Sequence, residues 1–351
     1  MTTTTAERGL SLHSRRTLPR WFPWATLVAS LGLAAGVLAI TGSVGVVGVA
    51  LLGAAVYTVA TLAISWGVEG RRPATNRFAT TLVTAAFVLA MVPLVSLVWT
   101  VLANGLSWIS WEFLTTDMQG IYGDSEEGGV YHAVIGTLLI TFWAALFSVP
   151  VGILTAVYLV EYGRGALARG ITFFVDVMTG IPSIVAGLFA FSLFTLLFGP
   201  AYRAGIMGAV ALALLMTPVV VRSVEEMLRL VPNELREAAL ALGVPKWLVI
   251  VKVVLRTAIA GIVTGVMLAV ARVIGETAPL LITVGYIAQV NTDVWDGRMT
   301  TLPVYAYREY SQGGVGIQRA WAAALVLIVI VMLLNLVARL VSRIFAPKVA
   351  P

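Results

Sequence analysis

Cysteine is absent from the 351 residues, and there are only two histidines, His13 and His132. Disulfides, thiolate nucleophiles and Cys- or His-based metal clusters are thereby excluded. Charge is nearly as scarce: Asp, Glu, Lys and Arg make up 11% of the chain, against roughly 25% in a soluble domain. There is no GxxxxGK[ST] loop, so the chain has no phosphate cradle of that type with which to bind ATP itself. No constellation suited to catalysis is visible, and the chain reads as a non-enzyme. The net charge of +6 does not point to nucleic acid. The basic residues lie mostly in short tails and loops beside apolar runs, and no basic surface interleaved with aromatics is present.

What the chain has instead is apolar length, with 59% hydrophobic residues. A membrane span takes about 20 apolar residues. No charged residue occurs from Trp21 to Val68, which is too long for one span, and Gly42-Ser43-Val44-Gly45 lies near the middle. A helical hairpin is expected, at about 22–41 and 46–66. Gly32 and Gly36 form a small-xxx-small pair suited to close helix approach. The tail at 1–20, with Arg8, Arg15, Arg16 and Arg20, has the outline of a signal peptide. Its apolar run is too long for that, so it reads as an uncleaved first span behind a cytoplasmic tail.

Further spans are expected at about 78–103, 133–160, 171–198, 204–222, 248–287 and 319–338. The fold class is therefore an all-α polytopic membrane protein with about eight transmembrane helices. Gly180-Ile181-Pro182-Ser183 should kink or break the fifth span. Glu69 to Arg77 reads as a basic loop containing Pro73. Residues 104–132 hold Glu112, Asp117, Asp124, Glu126 and Glu127 but no Lys or Arg, with Trp108 and Trp111 placed as interfacial aromatics. Residues 288–317 read as a polar loop; Tyr286, Trp295, Tyr305, Tyr307 and Tyr310 form an aromatic belt or a surface facing a delivery partner. With the N-terminus inside, 18 of the 23 Lys and Arg fall on the cytoplasmic side, while Arg203, Arg298, Arg308 and Arg319 fall outside and Arg272 in the membrane. That asymmetry favours a multi-pass plasma-membrane protein with both termini cytoplasmic.

Two stretches break the apolar pattern. The first is Pro232 to Lys252. Asn233 is expected to cap a helix over 234–242, with Glu234 and Glu237 near its positive end. Gly243 suits the left-handed stop, and Pro245 prevents continuation. This is either a solvated connecting helix or a docking element whose small residues Ala238, Ala239 and Ala241 admit another surface. The second is Arg272 to Leu280. Arg272 and Glu276 are four apart and expected to pair on one helix face. Ionisable residues inside a span suggest a substrate pathway by default, and a self-neutralising pair between helices is the plainer reading. Gly261, Gly265 and Ala269 form a small-residue stripe beside them.

Glu237-Ala238-Ala239 with Gly243 resembles the EAA loop of ABC importer permeases, although Leu255-Arg256 stands where that pattern usually continues with Leu-Pro. Arg272-Val-Ile-Gly-Glu276-Thr277-Ala278-Pro279-Leu280 is similar to the PstA-type permeases of phosphate-specific importers. Asp176 with Gly180-Ile181-Pro182-Ser183, and Thr217-Pro218 with Arg222, agree with that resemblance. It covers about 79–346 and implies a six-helix type I importer core at 78–346, with a coupling loop at 229–252, preceded by an extra hairpin at 21–77. It further implies a permease for inorganic phosphate working by alternating access. Arg222, Arg272, Glu276 and Thr277 would lie on the substrate path, and Glu237, Ala238, Ala239 and Gly243 would couple to the ATPase. The implied partners are a PstC-type permease, a PstB-type ATPase dimer carrying ATP and Mg, and a PstS-type phosphate-binding protein, with no cofactor on this chain. A permease for another oxyanion and a secondary anion transporter are the alternatives.

Overall fold

The computed structural model describes residues 17–42, 45–121 and 125–345. Most of the tail expected at 1–20, the turn residues Ser43 and Val44, the acid Asp124 and the basic Lys348 lie outside the described residues. The chain divides into two compact units, 1–98 and 99–351.

The first unit contains α1 (Phe22–Ile40), α2 (Val46–Glu69) and most of α3 (Arg71–Gly105). α1 and α2 form the expected hairpin. Gly32 and Gly36 do not make its close contact, since a Cβ at either would meet nothing within 4 Å. The close approach is at Gly53, where a Cβ would sit 2.7 Å from Leu31 Cδ2. The basic loop expected at 69–77 is helix instead. Pro73 falls in the first turn of α3, where its missing N–H costs nothing. The carboxylate of Glu69 then ties the corner together, accepting from Arg77 at 2.7 and 2.8 Å, from the Ser65 hydroxyl at 2.7 Å and from the Leu18 amide at 2.8 Å.

The second unit opens with a 3₁₀ turn at Leu106–Trp108 and the short α4 (Trp111–Thr115), capped by the Ser110 hydroxyl, which accepts from Phe113 N. There follow α5 (Tyr131–Val157), continued by a π turn at Tyr158–Tyr162, then α6 (Gly165–Thr179), α7 (Ser183–Phe198), α8 (Gly205–Arg229) and α9 (Asn233–Ala241). α10 (Lys246–Val249) runs through a π turn at Ile250–Val254 into α11 (Leu255–Val273). The unit closes with α12 (Ala278–Thr283), α13 (Leu302–Gln312) and α14 (Val315–Phe345). Arg256 therefore sits just past a π turn in a helix that continues unbroken. Among the described residues, seven helices are long and apolar enough to cross a membrane, or eight if the bent pair α6–α7 counts as one span.

The core is built around α8, of which Met207, Leu212, Met216, Val220, Val224 and Leu228 are almost completely buried. In lipid, helices gain little from hiding apolar surface, so close packing must hold them. Glycines supply it. A Cβ at Gly152 of α5 would lie 2.6 Å from Val220 Cγ1, one at Gly265 of α11 2.6 Å from Ser223 Cβ, and one at Gly261 2.3 Å from Met227 Sδ. The stripe of Gly261, Gly265 and Ala269 thus packs α11 against α8.

One of two interrupted spans follows expectation and the other departs from it. The fifth is broken outright, with α6 and α7 meeting at 107°. Pro182 removes a donor and forces extended backbone, its own ψ being 137°. The seventh stops at Val273 instead of running to 287, and a turn at Ile274-Gly275 leads into α12. The loop expected at 288–317 also contains α13, one face of which buries Leu302, Tyr305 and Glu309.

Candidate functional site

α9 has no buried residue. It starts one residue before the expected position, because Pro232, in extended conformation, takes the cap place. Asn233 does not cap; its Oδ1 accepts from Arg236 Nη1 at 3.2 Å. Gly243 stops the helix with φ +77°, in the left-handed region where glycine carries no Cβ penalty. No heavy atom lies within 4 Å of a Cβ built there. Glu237 and Ala238 are exposed and Ala239 half-buried, beside the exposed Leu235, Leu240, Leu242 and Trp247.

Arg236 fastens α9 to the rest of the unit. Its Nε donates to Glu161 Oε1 at 3.0 Å, Nη2 to the Leu228 carbonyl at 2.8 Å and Nη1 to the Val231 carbonyl at 2.5 Å. One planar guanidinium therefore binds the π turn after α5, the end of α8 and the start of α9. Sequence reasoning missed this residue, since its partner Glu161 is 75 positions away. Lys246 adds a cation over the Tyr162 ring, 4.7 Å from its centroid.

Arg222 belongs to this charged end. Its guanidinium pairs with Asp176 of α6 and with Glu225, the latter at 2.7 Å, and the buried Glu225 also accepts from Arg229 at 2.6 Å. Arg222 does not line the cavity described next.

That cavity, of about 180 Å³, lies where the two broken spans meet α8. Met178 and Thr179 end α6, and Ile181 and Ser183 flank the break. Leu215, Pro218 and Val219 of α8 form the back, and Arg272 and Glu276 close it. The Thr179 hydroxyl donates to Val175 O at 2.9 Å. The two breaks are packed together, since a Cβ at Gly187 of α7 would lie 2.6 Å from Pro279 Cα of α12. Arg272 and Glu276 thus share a cavity, but the expected ion pair between them is not formed among the described residues. An i,i+4 pair needs the helix to continue, and α11 ends at Val273. Thr277 caps α12 outside the cavity, its carbonyl accepting from Leu280 and Leu281. Chemically, the cavity offers a cation, an acceptor carboxylate and two hydroxyls beside apolar side chains, an arrangement fit for a small anion. No group of side chains suited to a metal ion occurs among the described residues.

A second polar centre lies at the opposite end of the unit. Arg319 and Glu309, each 1% exposed, pair at 2.9 Å and join α13 to α14. Arg319 also donates to the Ser125 carbonyl. Burial, ahead of the Glu309 charge, pushes the neighbouring Tyr305 phenol up. Sequence alone placed Arg319 at the outer edge of the last span and did not single out Glu309.

Comparison with known proteins bears on all of this. Residues 148–351 match the model of the family described as binding-protein-dependent transport system inner membrane component. The chain is 49% identical over 273 residues to the phosphate transport system permease protein PstA 1 of Mycobacterium tuberculosis (strain CDC 1551 / Oshkosh), covering 77% of this chain and 90% of that protein. It is 38% identical to PstA of Yersinia pestis, over 70% of this chain and 86% of that one. Among solved structures, an inward-facing MetNI methionine ABC transporter matches with a TM-score of 0.48 at 20% identity, over 62% of this chain and 95% of that one. The chain is a multi-pass inner-membrane protein that belongs to the binding-protein-dependent transport system inner membrane components, and within them to the PstA-type permeases.

Proposed function

We propose that this chain conducts inorganic phosphate as one permease of an ATP-driven importer. The observation that carries the proposal is the cavity at the two helix breaks, with Arg272 on its wall, in a chain whose relatives are named as phosphate permeases. A guanidinium fork matches the oxygens of a phosphate. A lone cation in a small cavity attracts the anion, and the Glu276 carboxylate keeps it from being held too firmly to leave, as conduction requires.

The basic-residue asymmetry supports an orientation with α9 and both termini on the cytoplasmic side and α13 outside. α9 then docks on an ATPase pair that holds ATP and Mg, this chain binding neither. Glu237, Ala238, Ala239 and Gly243 form the docking face, and Arg236 transmits its movement to α5 and α8. A second, PstC-type permease completes the pathway, and an extracytoplasmic phosphate-binding protein delivers the substrate. Arg222, held by Asp176 and Glu225, stands at the cytoplasmic exit. Access alternates as the α8-centred unit rocks.

The test is phosphate uptake by the assembled complex in liposomes. Arg272→Ala should abolish uptake with insertion and assembly intact. Uptake at the parent rate by that variant refutes the pathway.

A further inference from the structure

Arg272 draws anions without telling them apart, since a guanidinium offers donors to any oxyanion. The second ionisable group of the cavity is harder to account for. Glu276 lies in the same cavity, yet no ion pair joins it to Arg272, because α11 ends between them. Its two oxygens only accept hydrogen bonds when ionised. The other polar groups of the lining, the hydroxyls of Thr179 and Ser183, do not offset its charge, and the Thr179 proton is already donated to Val175 O. A bare carboxylate in an anion's cavity repels any ligand that presents only ionised oxygens. It favours one that presents a proton.

We propose that Glu276 is a specificity-determining residue that selects an oxyanion still carrying a proton. Phosphate and arsenate retain at least one proton at neutral pH, and sulfate retains none. The ionised oxygens of hydrogen phosphate take the Arg272 fork while its P–OH donates to Glu276. Sulfate has no donor to offer, so acceptor faces acceptor and like charge faces like. A site built around a hydrogen bond discriminates strongly against a ligand that cannot make it, because the site's own group is then left unmatched. This selection rests on the cavity being the anion's place, and it acts on whatever anion reaches the cavity.

The absence of cysteine from the chain provides a direct test. Ser183→Cys places a single thiol in the cavity wall of the assembled complex, and its alkylation by a small hydrophilic maleimide is followed as a mass shift on this chain. Inorganic phosphate and arsenate should slow alkylation at concentrations roughly tenfold or more below those at which sulfate does so. Adding Glu276→Gln, whose amide can donate to an ionised oxygen, should bring sulfate level with phosphate. Equal protection by sulfate and phosphate in the Ser183→Cys chain overturns the selection while leaving the cavity as the anion site. An unchanged phosphate-to-sulfate ratio after Glu276→Gln, with alkylation in the absence of anion unaltered, overturns it as well. Failure of phosphate to protect Cys-bearing Ser183→Cys at any concentration overturns both the selection and the placement of the anion. The comparison within the Ser183→Cys chain decides the matter even where the double variant does not assemble.

Discussion

Removing Arg236 should separate the movement of α9 from the helices it is meant to drive. The guanidinium makes four bonds, to Glu161, to the carbonyls of Leu228 and Val231 and to Asn233 Oδ1. The side chains of Arg236 and Glu161 are 15% and 8% exposed. Arg236→Ala leaves a nearly buried carboxylate without its cation, a change that costs about 3–5 kcal/mol in a dry interior. The pair lies near the end of the unit, where water can reach the freed carbonyls, so we take the lower end, about 3 kcal/mol. At about 1.4 kcal/mol per factor of ten, this shifts the balance between an anchored and a loose α9 by roughly 100-fold. Arg236→Lys keeps the charge but cannot reach all four acceptors with the three donors of one ammonium, and should lie between Arg236→Ala and the parent. Glu161→Gln keeps an acceptor and should cost less than Arg236→Ala. The assay is ATP hydrolysis and phosphate uptake measured together in liposomes holding the complete transporter. Arg236→Ala should retain ATP hydrolysis while uptake per ATP falls at least tenfold. Uptake per ATP at the parent value in correctly assembled Arg236→Ala would refute the transmission role of this residue.

Three further changes probe separate parts of the structure. Gly243→Asp strains a φ of +77° by only about 1–2 kcal/mol and meets no atom within 4 Å. The isolated chain should therefore insert and fold, with no more than this small loss of stability, and lose uptake through its partner; a destabilisation well beyond about 2 kcal/mol in the chain by itself would contradict that account. Gly187→Val drives new atoms into the backbone of Pro279, an overpacking worth about 1–3 kcal/mol or more. It should pry α7 from α12, lower the melting temperature in detergent and abolish uptake, and an unchanged melting temperature would show that the two breaks are not held together. Arg319→Met leaves the buried Glu309 without its cation, with only Gln312 still donating to it, and should destabilise the unit by about 3–5 kcal/mol. Arg319→Met with Glu309→Leu should recover most of that in a thermal-unfolding series, and a double variant no more stable than Arg319→Met would argue against an uncompensated charge as the cause.

The amino-acid pattern determined what is local. Uncharged length marked the spans, and α9 came out within one residue of its expected bounds because Gly243 and Pro245 stop a helix by their own backbone chemistry. The break at Pro182 was legible for the same reason, as was the packing stripe of Gly261 and Gly265. The tertiary structure alone decided what depends on which faces meet. Lipid surrounds every span with an apolar medium, so hydrophobicity marks the helices without saying which sides face each other. The 107° turn between α6 and α7, the seat of Gly187 on Pro279 and the cavity they frame are therefore invisible in a run of apolar letters. Spacing also misled where a helix ended early. Arg272 and Glu276 look like one i,i+4 pair, yet the stop at Val273 turns them into two independent walls of a cavity. The anchors Arg236–Glu161 and Glu309–Arg319 could not be read at all, because a charge finds its partner through space, and nothing in the intervening residues names it.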